Sequence, residues 1–130
     1  MAAIMLPYFA PASELPQPLP TDQEIHDSTE QYMESGGRRF VRIGPYMIKY
    51  GSGVSVIEGE NMLFVSRETT VPMPRVYAIY TGTEISILTN TEVDSNYAVM
   101  EYLEGDTLGF EWGLLSAQQK ESISAQLRSI

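Results

Sequence analysis

A chain of 130 residues with 8 basic and 17 acidic side chains, net −9, is one domain's worth of sequence. It is long enough to bury a core, and it is charged against nucleic-acid backbones and anionic membrane surfaces as partners. The lack of cysteine excludes disulfides, a thiol nucleophile and thiolate metal sites, and it suits a reducing, cytoplasmic setting.

No apolar run approaches the length of a membrane span, and the opening MAAIMLPYFAPASEL lacks both a basic n-region and a continuous apolar core. Charge is distributed unevenly. Six of the eight basic residues lie between Arg38 and Arg75, whereas Glu84 to Glu111 holds seven acids and no base. One end of the molecule is therefore electronegative, either as a solvated surface or as an attractor of cationic ligands.

In chain order, residues 1–20 form a proline-rich tail with Pro7, Pro11, Pro16, Pro18 and Pro20, a density that leaves no room for a regular element. Ile4, Met5, Leu6, Tyr8 and Phe9 are too apolar for an idle linker, so the tail packs across its own domain or docks on a second subunit. The domain proper spans 21–130. Thr21 and Glu24 make a capping box, and the helix it opens is expected to run to about Glu34, with Ile25, Thr29, Tyr32 and Met33 as its stripe and Gly36-Gly37 as its stop.

Phe40, Ile43, Tyr46 and Ile48 then read as a strand pair around a Gly44-Pro45 turn, with Lys49 closing the second strand. From Val54 the period becomes helical. Val54, Met62 and Val65 share a stripe in which Glu58 takes the i+4 place, so Glu58 is expected to face inward and Glu60, about 200° around, to face solvent. Lys49 and Glu58 are placed to meet as an ion pair.

Ser66–Pro74 reads as a loop, Arg75–Tyr80 as a strand, Gly82 as a tight turn, Glu84–Leu88 as a further strand, Thr89–Ser95 as polar turn sequence, and Tyr97–Tyr102 as a last strand. The fold class is α+β: an antiparallel sheet of about five strands with a packed helix and helices on one side, plus an N-terminal helix and C-terminal helices. In the C-terminal part Asp106 is an N-cap, Leu108, Trp112 and Leu115 share a face, Ser116 and Gln119 form a second capping box, and Ile123, Leu127 and Ile130 form a stripe.

VRIGPYMIKYG, IEGENMLFVSRETTVPMPRVYAIY and YAVMEYLEGDTL follow one another in an order that resembles the amino-terminal lobe of the aminoglycoside-phosphotransferase and protein-kinase-like superfamily, in its fungal small-molecule phosphotransferase-like branch. The resemblance covers roughly Arg38 to Ile130. It implies that Lys49 holds nucleotide phosphates, that Glu58 orients it, and that the hinge segment Val99–Gly105 contributes Met100, Glu101 and Leu103 to the same cofactor site.

The sequence departs from that pattern in two ways. There is no G-x-G-x-x-G loop, only Gly44, Gly51 and Gly53. Nothing matches the second lobe with its catalytic aspartate and metal-binding Asn and Asp. The resemblance thus implies a truncated lobe incapable of phosphoryl transfer alone, with ATP binding possible but no cofactor required.

Three readings of Lys49 and Glu58 stand side by side: an ion pair holding helix to sheet, a phosphate-holding pair, or acid-base groups for another ligand. His26 has no catalytic context, the six tyrosines from Tyr46 to Tyr102 could line a pocket or simply fill strands, and no metal-ligand spacing occurs. Two functional classes follow. One is a pseudoenzyme lobe that binds a small molecule or a partner. The other is a stand-alone enzyme of metabolite biosynthesis, a cyclase, isomerase or dehydratase, using the former nucleotide cleft as an apolar pocket. The apolar C-terminal stripe, with Trp112 and Leu115, leads us to expect a homodimer or larger homo-oligomer.

Overall fold

The structure, a computed structural model, describes residues 5–34, 37–85, 89–105 and 108–130. Ile4, Gly36 and Asp106, and the end of the expected Glu84–Leu88 strand from Ser86 on, lie outside the described residues. The fold is α+β. Among the described residues six strands, β1 (Tyr8–Phe9), β2 (Gln31–Glu34), β3 (Arg38–Ile43), β4 (Tyr46–Gly51), β5 (Val76–Ile85) and β6 (Glu92–Glu101), form one antiparallel sheet in the order β1-β5-β6-β4-β3-β2. Four α-helices among those residues accompany it: α1 (Asp22–Asp27), α2 (Val56–Glu68), α3 (Leu108–Glu111) and α4 (Ala117–Arg128).

The two central hairpins follow from local chemistry. β3 and β4 turn at Gly44, which adopts φ +55°, a value that costs glycine nothing. β5 and β6 pair over nine registered positions from Val76↔Met100 to Ile85↔Glu92, with an irregularity at Tyr77. That bulge turns both Tyr77 and Ala78 to one face, where they join Val41, Ile48 and Val99.

Four sequence expectations are corrected. First, the helix opened by Thr21 stops at Asp27, not near Glu34, and Gln31–Glu34 is strand β2, paired with Val41 to Arg38. The glycine signal that reads as a helix stop instead serves a hairpin, where Gly37 holds φ +73°. Second, the tail does carry a strand. Between Pro7 and Pro11 the chain is extended, Tyr8 and Phe9 pair with Ile79 and Ala78, and the Ala10 N–H donates to Tyr77 O at 2.8 Å. Prolines on either side leave those intervening donors free for the sheet edge.

Third, Gly82 is not a turn. It lies inside the ten-residue β5, against Tyr97, whose Cε1 would be 3.1 Å from a Cβ at that position, so the glycine makes room for a ring. β6 accordingly starts at Glu92, inside the stretch that reads as polar turn. Fourth, the helices do not share one side of the sheet. Ile25 of α1 packs with Val41, Ile48, Tyr50 and Tyr97, whereas Leu63 of α2 packs with Val76 and Ile79 on the opposite face.

The α1 face is the larger core. His26, Tyr50, Tyr97, Tyr80 and Phe9 stack in sequence at centroid spacings of 5.4, 5.5, 4.8 and 5.6 Å. The tail closes this face with Ala10, Leu15 and Leu19, and the Tyr46 hydroxyl donates to Gln17 O. On the other face α2 comes close to the sheet at Gly59, where a Cβ would lie 2.8 Å from Ile79 Cδ1. α4 buries none of its residues. Among the described residues no helix is long and apolar enough to cross a membrane.

Candidate functional site

Lys49 sits in the middle of β4, opposite Phe40 of β3 and Ala98 of β6. Strand alternation puts these three on the α2 face, together with Arg42, Met47 and Met100 one step along. The lysine stem is buried among them, and its Nζ reaches up to Glu58, donating to Oε1 at 2.9 Å and Oε2 at 3.0 Å. The ammonium also lies 5.3 Å from the centre of the Phe40 ring, a favourable position for a cation over an aromatic face.

Glu58 lies in the first turn of α2, behind the Ser55 cap that accepts from the Ile57 N–H at 3.2 Å. There its carboxylate also meets the positive end of the helix dipole. Its inward orientation is corrected: the Glu58 side chain is 51% exposed, against 11% for Lys49. The phase set on Val54 is off because Val54 precedes the helix, and the face turned to the sheet is Gly59 and Leu63, with Val56 and Met62 beside it. Glu58 therefore stands at the rim of the helix, and Lys49 comes to it from below. Glu60 is half-buried and takes no part in the pair.

Of the remaining residues singled out from the sequence, Met100 shares the face of Lys49 and is half-buried. Glu101 pairs with Tyr46 and so turns to the other face, where its Oε1 accepts the Arg75 N–H at 3.2 Å and its own N–H donates to Arg75 O at 2.8 Å. Leu103 lies exposed beyond the end of β6. The structure thus brings Lys49, Glu58 and Met100 to one place and leaves Glu101 and Leu103 outside it.

Phe40 and Met47 complete that place, a half-buried apolar strip beside the ammonium. Nothing in their sequence neighbourhood marks these two as site residues, because they join Lys49 only through strand register. His26 is half-buried, and its Nε2 is 2.8 Å from the Tyr97 hydroxyl inside the stacked aromatics. Among the described residues no group of three or more His, Asp or Glu is placed to hold a metal ion.

Comparison with family models, with curated proteins and with solved structures finds no match.

Proposed function

We propose that the chain is a phosphotransferase-like amino-terminal lobe acting as a binding module, one that does not transfer phosphoryl groups by itself. In this reading it holds a nucleotide-like anion against the Lys49 strip, with no cofactor required. The observation that carries the reading is the Lys49–Glu58 pair itself. A strand lysine fixed by both oxygens of a helix carboxylate, beside an open apolar strip on the same face, can direct its ammonium at a phosphate while a flat base rests on Phe40, Met47 and Met100. The lack of cysteine supports a cytoplasmic setting for such a module.

The test is thermal unfolding of the protein with ADP and ATP, with and without magnesium. Bound nucleotide raises the midpoint by mass action; Lys49→Met removes the rise, and no labelled phosphate reaches a small-molecule acceptor. No shift with either nucleotide, or turnover abolished by Lys49→Met, would overturn the reading.

A second observation favours a second copy of the chain as partner. Trp112, Leu114, Leu127 and Ile130 are all exposed, and the segment 108–130 carries two acids, Glu111 and Glu121, against two bases, Lys120 and Arg128. Self-association through this segment is therefore not opposed locally by the charge of the whole chain. Light scattering at micromolar concentration is expected to give twice the 14.5 kDa chain mass, and Leu127→Asp to give the single mass. A single mass for the unaltered chain refutes the dimer.

A further inference from the structure

We propose that the cavity between the tail, the end of α2 and the start of β5 binds a small organic acid, a single carboxylate on a flat apolar body. This site lies away from Lys49, and none of its lining residues belongs to the strip described above. Its volume is about 520 Å³, within the usual range for small-molecule sites. Tyr8 and Phe9 come from β1, Leu63 and Arg67 from α2, Tyr77 from β5, and Arg75 from the position just before that strand. Three separate stretches of chain therefore build one concavity.

Two arginines, Arg67 and Arg75, line it. Among the described residues the ion pairs are Lys49–Glu58 and Arg128–Glu121, so Arg67 and Arg75, which both line this cavity, have no carboxylate partner there. Glu101 takes the Arg75 peptide N–H, not its side chain. Arg67 lies over the Tyr8 ring at 5.4 Å, which holds the planar group against an aromatic face and leaves its N–H fork free in the plane. In a chain with a net charge of −9, both guanidiniums stay without an acidic partner among the described residues and line the same hollow.

The rest of the lining selects the ligand class. Leu63, Val76 and Phe9 supply apolar contact, and two arginine forks match a carboxylate in-plane. Glu14 also lines the cavity, leaving it one net positive charge, which balances a monoanion and leaves most of the charge of a polyphosphate unneutralised.

The test uses naphthaleneacetate as probe, naphthaleneethanol as its neutral counterpart and ADP as a polyanion, with binding followed through backbone amide signals. The acid is expected to shift Ser66, Arg67, Arg75 and Tyr77. The alcohol should bind there at least about ten-fold more weakly, the loss of one charge-assisted contact, and ADP, whose polar and multiply charged body fits neither the apolar lining nor the single net charge, should also bind there more weakly. Arg67→Gln and Arg75→Gln should each raise Kd about ten-fold, whereas Arg128→Gln, on α4, should leave it unchanged. Should Arg67→Gln fail to fold, Arg67→Lys keeps the positive charge at the helix end and removes only the fork. Equal binding of acid and alcohol, tighter binding of ADP at this cavity, shifts from the acid confined to the Lys49 strip, or no binding at millimolar probe would each overturn the proposal.

Discussion

α1 and α4 begin with the same device and end in opposite situations. Thr21 and Ser116 each accept from the N–H three residues on, at 3.2 and 3.1 Å, and Glu24 and Gln119 return the bond to the cap N–H at 3.1 and 2.8 Å. Yet α1 has six residues and places Ile25 at 0% exposure under the tyrosine stack, while α4 has twelve and leaves Leu127 60% exposed, with Ile130 just beyond it 66% exposed. The difference teaches that a capping box fixes where a helix starts and nothing about what the helix covers. Length and burial are set by neighbours: α1 stops where β2 must pair with β3, and α4 meets no strand that could stop it.

The largest contrast is expected from truncating the apolar side chain each helix offers. Ile25→Ala removes a fully buried side chain beneath Tyr50 and Tyr97 and should cost about 3–4 kcal/mol. That would lower the thermal midpoint by roughly 10 °C or more. Leu127→Ala should change the stability of the isolated chain by less than about 0.5 kcal/mol. Urea unfolding of the two variants checks this, and similar losses would mean that α4 is packed and the contrast false.

A smaller effect separates the two regions by pH. The Tyr80 hydroxyl donates to Asp22 Oδ1 at 2.9 Å, tying β5 to the first turn of α1. Burial first, and then the bond and charge of Asp22, raise the Tyr80 pKa well above the ordinary tyrosine value; burial also raises that of Tyr46. A pKa raised in the folded state means that folding favours the protonated phenol. Its stabilisation is complete below the unfolded value of about 10 and is lost as pH climbs above it. Stability should therefore fall from about pH 10 upward, and Tyr80→Phe should flatten part of that fall while costing about 1 kcal/mol at neutral pH. Helicity arising from α4, which has no tyrosine, should not follow this profile.

What could be read from the sequence follows the same division between local and non-local causes. Both capping boxes, the Gly44 turn and the meeting of Lys49 with Glu58 rather than Glu60 rest on spacings of a few residues, and all stand in the structure. β1, β2 and the uninterrupted β5 were not legible, because each exists by pairing with a distant strand: Tyr8 with Ile79, Gln31 with Val41, Gly82 with Ser95. The site divides likewise. Lys49 and Glu58 are nine residues apart, whereas Phe40 and Met100 reach the lysine only through sheet register, and the cavity of Arg67 and Arg75 requires the tail folded over β5.

The smallest expected effect tests the capping comparison itself. Thr21→Ala and Ser116→Ala remove equivalent hydrogen bonds, each worth about 1 kcal/mol to its helix. In α1 that helix is coupled to the core through Ile25 and through Asp22 with Tyr80, so fraying its start exposes buried surface, and the cost should appear in the global unfolding midpoint. α4 has no buried residue through which to pass the loss on. Its first turn should open locally, and the midpoint should stay within about 0.3 kcal/mol of the unaltered chain, while amide exchange at 117–120 quickens several-fold. Unfolding curves together with site-resolved hydrogen exchange distinguish the cases. A midpoint lowered as much by Ser116→Ala as by Thr21→Ala would show that α4 is energetically part of the core despite its exposed face, and that a partner surface on this helix is not needed to explain its apolar residues.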